Sequence, residues 1–168
     1  MDRTDITLLS EALRSTMTEY SGPALDTALD DLGWHDMLAE IPEIAIPLVF
    51  ALVGETGTHA SIINDVLDTG RTSTEHPLPM TGDLWLRWHR RRDTGGIALD
   101  PELPLSQSAP GPLPKDALIR GRIAMGWWLV GSSRAMLDLA RTHALDRTQF
   151  GTPNAGFQAV RHPLSETL

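Results

Sequence analysis

The chain has 168 residues, 41% of them hydrophobic, and no cysteine; that is enough for a packed core, and it excludes disulfides, thiolate metal sites and, with no apolar run near the roughly 20 residues required, a membrane span. The formal net charge of −8 is uneven: residues 1–70 hold 13 acids against 2 bases, and residues 71–168 hold 9 acids against 12 bases. An acidic front half argues against broad nucleic-acid binding, whereas the basic second half suits an anionic cofactor or simple packing against the first.

Residues 4–20 place Ile6, Leu9, Leu13, Met17 and Tyr20 at three- and four-residue spacings, which is one apolar helical stripe. Gly22 and Pro23 break it. Pro23 then opens a second stripe of Leu25, Ala28, Leu29 and Leu32, ended by Gly33. Residues 34–40 add a helical turn or two. Pro42 or Pro47 opens the next helix, which carries Leu48, Ala51, Leu52 and Glu55 and ends at Gly57. A short helix fits residues 59–67, with Ile63 and Leu67 inward. Residues 1–68 thus predict an N-terminal helical array.

Residues 69–114 hold most of the chain's 12 prolines, so no helix of useful length crosses them. The segments LWLRW (84–88) and 97–99 flank RDTGG, which predicts at most a short β-hairpin in an irregular linker.

After Pro114 no proline occurs until Pro153. That run predicts a helix of about 34 residues, about 50 Å long. Gly121, Gly126 and Gly131 interrupt it at five-residue steps. Each costs roughly 0.5–1 kcal/mol against alanine, a cost that close approach of another helix would offset. Gly151 is expected to cap the helix and Pro153 to stop it. Thr152 or Asn154 then caps a last helix carrying Phe157, Val160 and Leu164, kinked or shortened by Pro163. The expected fold class is mainly α.

Few motifs carry chemistry on their own. The histidines His35, His59, His76, His89, His143 and His162 form no HxxxH pair and no metal-like spacing with an acid, so a metal site is not expected. There is no GxSxG, no Walker-type loop and no GxGxxG. No acid stands out as a buried general base, so the catalytic residues stay unassigned. The stretch WLRWHRRR (85–92) mixes aromatics and arginines, a combination that binds nucleic acid in some proteins. In an acidic chain it reads better as a strand or turn with a solvated basic face. Trp127 and Trp128 lie mid-helix and read as core or helix–helix contacts. Arg147 by itself opposes a helix dipole, and Gln158 by itself is an exposed helical residue. As a pair they flank a tight αα-turn with Phe150 between them, and a guanidinium and an amide so placed suit a phosphate and its neighbouring sugar or base.

RIAMGWWLVGSSRAMLDLARTHALDRTQFGTPNAGFQAVRH (122–162) resembles the acyl-CoA dehydrogenase family. The resemblance rests on Arg122, Gly131, Leu137 and Asp138, Arg147, Phe150 and Gly151, and Gln158. Residues 28–61 resemble the family's N-terminal helical domain more weakly. What the resemblance implies is a flavoprotein of three parts: an N-terminal helical domain (1–68), a reduced segment in place of the middle β-domain (69–114), and a truncated C-terminal helical bundle (115–168). It further implies that Arg147, Phe150 and Gln158 touch the adenosine-diphosphate portion of FAD bound mainly to a neighbouring subunit. The stretch 119–122, Arg122 above all, becomes the acyl-CoA substrate site.

The family reaction removes an α-proton with a glutamate and transfers hydride from Cβ to the flavin. Here the flavin-ring motif of the type Thr-Glu-Pro-x-Ala-Gly-Ser-Asp is absent. One family position for the glutamate is taken by Gly121, and the other lies in a C-terminal region beyond residue 168. The expectation is therefore a shortened, non-catalytic or partner-dependent member. It would assemble as a homo-oligomer, or as a heteromer with a full-length acyl-CoA dehydrogenase, in the cytoplasm. The other expectation is a non-enzymatic helical scaffold derived from the same fold.

Overall fold

The computed structural model describes residues 2–68, 75–90 and 103–167. Helix α1 (Arg3–Glu19) starts from a capping box. The Asp2 carboxylate accepts the Thr4 and Asp5 N–H groups at 2.7 and 2.9 Å, and the Asp5 carboxylate accepts the Asp2 N–H at 2.9 Å. Such a cap contributes about 1 kcal/mol. Helix α2 (Pro23–Asp31) begins on Pro23, and α3 (Trp34–Glu40) follows at once. Helix α4 (Pro42–Thr56) opens at Pro42, keeps Pro47 inside, and ends at Gly57. Its residues 45, 46 and 49–54 are all buried, as expected of a helix apolar on every side. Helix α5 is the single turn Ile63–Leu67, shorter than the 59–67 expected.

The middle segment holds a small antiparallel sheet: β1 (Leu78–Pro79), β2 (Trp85–Trp88) and β3 (Leu105–Gln107), in the order β1-β2-β3. Register pairs Leu78 with Leu86 and Trp88 with Leu105. LWLRW does form a strand, paired on its two edges with β1 and β3; residues 97–99 lie outside the described residues.

Helix α6 (Lys115–Asp146) is the long helix, 32 residues, and it packs along α4. The two backbones meet at glycines. A Cβ built on Gly131 would lie 2.0 Å from the Ala51 carbonyl oxygen, and one built on Gly54 would lie 2.2 Å from the Trp128 carbonyl oxygen. Gly121 abuts the Leu67 side chain, whereas Gly126 faces open space. The expected close approach therefore holds at two of the three α6 glycines and fails at Gly126.

An aromatic file joins the parts. Trp34 of α3, Phe50 of α4, Trp128 of α6 and Trp88 of β2 follow one another with ring centroids 6.4, 6.3 and 5.2 Å apart. Trp34 and Phe50 have no exposed surface, and burying a side chain such as Phe50 contributes about 2 kcal/mol. Segments 1–68 and 115–146 thus share one core.

Beyond α6 the structure corrects the expectation. Gly151 does not cap the helix; Arg147 is its C-cap, in extended conformation. A two-residue hairpin follows, β4 (Thr148–Gln149) paired with β5 (Thr152–Pro153). Phe150 and Gly151 form its turn with φ of +52° and +78°. Two successive positive φ values are the signature of a type I′ turn, whose twist matches paired strands. A 3-10 turn (Asn154–Gly156) leads to α7 (Gln158–Glu166), which includes Pro163. The N-cap of α7 is Phe157, without a side-chain cap, and neither Thr152 nor Asn154 serves. The αα-turn is thus replaced by a hairpin and a 3-10 turn.

Candidate functional site

Arg147 at the end of α6, Phe150 in the hairpin turn and Gln158 at the start of α7 all stand exposed. The Arg147 N–H bonds to the His143 carbonyl at 2.9 Å, and the Arg147 carbonyl accepts the Asn154 N–H at 2.8 Å. The Asn154 carbonyl in turn accepts the Phe157 N–H at 3.0 Å, one residue before Gln158. Asn154 therefore ties the Arg147 and Gln158 backbones to one end of the molecule. Phe150, at the hairpin tip, is 96% exposed. Among the described residues the Arg147 and Gln158 side chains make no hydrogen bond or ion pair. An arginine, an aromatic and an amide held outward suit an anionic nucleotide presented by another chain. They do not enclose one within this chain.

The start of α6 does not gather the residues that the sequence grouped there. Successive helical residues are about 100° apart, so positions 120 and 122 point to nearly opposite sides. Arg120 borders a cleft of about 510 Å³ together with Asp30, His35, Asp65, Asp68 and Arg90. Ile119 and Arg122 are exposed. Gly121 is buried, and a Cβ there would lie 2.6 Å from Leu67 Cδ2. A side chain at position 121 would thus press on the tip of Leu67, and Gly121 itself offers no carboxylate.

Beside this cleft lies a polar network that the sequence did not reveal. The Asp26 carboxylate accepts the Ser61 N–H at 2.7 Å and the Ser61 hydroxyl at 2.9 Å. Burial pushes the Asp26 carboxyl above its usual range, against the lowering effect of those two hydrogen bonds. Arg90 forms a short ion pair with Asp65, whose other oxygen accepts Trp34 Nε1 at 3.0 Å. The Arg90 part of WLRWHRRR thus turns inward to the acidic front half, and Trp88 is buried; Arg91 and Arg92 lie outside the described residues. No spacing rule could find these partners, because Asp26, the stretch holding Ser61 and Asp65, and Arg90 come from three separate segments.

The histidines divide similarly. His35 Nε2 sits 3.2 Å from Asp30, and His89 Nδ1 sits 2.8 Å from Glu75. Among the described residues no three His, Asp or Glu side chains are grouped to hold a metal ion. Nor, among them, is any helix long and apolar enough to cross a membrane.

Comparison with known proteins adds one finding. A family model described as acyl-CoA dehydrogenase, C-terminal domain, matches residues 112–168. No solved structure matches the chain. The match covers α6, the hairpin and α7, the same elements that carry Arg122, Arg147, Phe150 and Gln158. On that match residues 112–168 are similar to the C-terminal domain of acyl-CoA dehydrogenases.

Proposed function

We propose that this chain is an acyl-CoA dehydrogenase-like subunit that lends flavin contacts to a partner and does not desaturate acyl-CoA thioesters by itself. The observation that carries this reading is the family match over 112–168, in which Arg147, Phe150 and Gln158 stand exposed and the two polar side chains have no hydrogen-bond partner among the described residues. In this reading Arg147 pairs with the diphosphate of FAD, Phe150 covers the adenosine and Gln158 bonds to it. The flavin, when bound, accepts the hydride from the thioester's Cβ. Arg122 serves as a contact for the acyl-CoA of the assembled complex. The carboxylate that removes the α-proton comes from the partner, because Gly121 is packed against Leu67. The partner that supplies this carboxylate is a full-length acyl-CoA dehydrogenase; a homo-oligomer of this chain would share the flavin contacts without that base.

Co-expression with a full-length homologue tests the reading. The complex is expected to purify yellow, and Arg147→Ala is expected to lower the flavin absorbance per chain. Unchanged flavin retention in Arg147→Ala overturns the site assignment. Turnover of acyl-CoA by the isolated chain with an artificial electron acceptor overturns the non-catalytic part.

A second reading, a helical scaffold without flavin, has its own observation. Leu129, Met136 and Leu139 of α6 are each more than 60% exposed, an apolar surface of the kind that another chain covers. A stable flavin-free homodimer would favour it.

A further inference from the structure

The face of the small sheet opposite Leu86 and Trp88 carries a constellation that the flavin reading does not use. Side chains alternate along a strand, so Arg87 points away from Leu86 and Trp88, which line the apolar side against α5. Register pairs Arg87 with Ser106, which places the two on one face. His89, just past the end of β2, joins them: its Nε2 lies 2.7 Å from Ser106 Oγ and its Nδ1 lies 2.8 Å from Glu75 Oε2. An ionised carboxylate only accepts hydrogen bonds, so Nδ1 carries the proton and Nε2 accepts the Ser106 hydroxyl.

The base is well held. Glu75 Oε1 accepts the Arg90 N–H at 2.8 Å, and the His89 N–H bonds to the Pro104 carbonyl at 2.8 Å. The His89 side chain is 12% exposed and Ser106 is 8% exposed. A donor shares this face by register: Arg87 Nε is buried and has no hydrogen-bond partner among the described residues. Nucleophile, base, orienting carboxylate and an unused donor are the four parts of a serine acyl-transfer site, which is recognised by geometry rather than by chain order.

We propose that Ser106, His89 and Glu75 form a serine-nucleophile site for a small carboxylic ester or thioester, with Arg87 Nε facing the developing oxyanion. Ser106 Oγ attacks the carbonyl carbon as His89 Nε2 takes the hydroxyl proton, and the carbonyl electron pair moves onto oxygen. Collapse restores the C=O bond and breaks the bond to the alcohol or thiol, which leaves with the proton from Nε2. Water then gives a proton to Nε2 and attacks the acyl-serine. Release of the carboxylic acid returns that proton to Ser106. Glu75 holds the imidazole in place and stays ionised. Ser106 is 8% exposed, so only a small acyl group is proposed to reach its hydroxyl.

Labelling of the intact chain with diisopropyl fluorophosphate, read by mass spectrometry, tests the proposal. One adduct is expected, mapped to Ser106, absent in Ser106→Ala and formed about 100-fold more slowly in His89→Gln. Hydrolysis of p-nitrophenyl acetate should fall in parallel. Thermal melts establish that each variant is folded, and the wild-type labelling stands without any variant. A folded wild-type chain that takes no adduct at Ser106 overturns the proposal. So does equal labelling of a folded His89→Gln, because a cluster that merely clamps β3 to β2 changes melting without making Ser106 reactive.

Discussion

Gly54 of α4 and Gly131 of α6 face each other across the helix crossing: a Cβ on Gly54 would lie 3.1 Å from the Gly131 carbonyl carbon. The atoms that block a larger residue at either position are backbone atoms, which cannot swing aside as a side-chain tip can. Gly131→Ala and Gly54→Ala are each expected to destabilise the chain by about 3 kcal/mol, at the upper end of overpacking costs. Gly126→Ala meets open space and should stabilise it by about 0.5–1 kcal/mol. Urea unfolding of the three variants checks both signs.

Arg90 and Asp65 provide a second test. The Asp65 side chain is 7% exposed and is held by Arg90 and by Trp34 Nε1. Arg90→Ala leaves that carboxylate buried beside an indole alone and is expected to cost about 3 kcal/mol. Asp65→Asn keeps an acceptor for the indole and removes the buried charge, so the double variant should recover part of the loss. A double-mutant cycle by chemical denaturation measures the coupling.

Asp26 sets a pH dependence. Its carboxyl is raised above 3.8 in the folded chain, mainly by burial. The folded state therefore binds the proton more tightly than the unfolded chain, and stability falls as pH rises from 3.8 through the raised value. Asp26→Asn keeps an oxygen for the Ser61 N–H and removes the titration. Relative to wild type it should gain stability as pH rises through that window and then level off. Denaturation midpoints across a pH series check the sign.

Phe150 separates folding from function. It occupies φ +52°, a region that costs a non-glycine residue about 1–2 kcal/mol, while 96% of its surface stays exposed. Phe150→Asn suits a type I′ turn and should leave the melting temperature equal or slightly higher. In the flavin-bound complex the same change should lower flavin retention. A variant that is more stable and less yellow would mark the aromatic as kept for contact rather than for folding.

Much of the helical fold was readable in the sequence, since proline and glycine act locally. Pro23 and Pro42 start helices and Gly57 ends one, because a fixed or a positive φ is a property of the residue itself. The long helix followed from the proline-free run after Pro114, and the packing role of Trp128 from its place in the middle of that helix. The sheet was harder, since β3 reaches β2 across an intervening segment and its three residues carry no alternation of their own. Phe-Gly lacks the Asn-Gly or Asp-Gly signature, so the hairpin after Arg147 passed for a helix cap. The polar clusters were invisible for the same reason: Glu75, His89 and Ser106 meet through strand register, which no short window of sequence contains.

The glycine crossing also turns α6 into a measuring rod. With Gly131 seated on the Ala51 carbonyl, the helix can neither slide nor rotate against α4. Arg122 and Arg147 are 25 positions apart, so they are fixed about 37 Å from each other. A single bound nucleotide is too short to touch both. If the proposed reading holds, the flavin at Arg147 and the acyl-CoA at Arg122 are separate ligands, spaced by the length of this one helix.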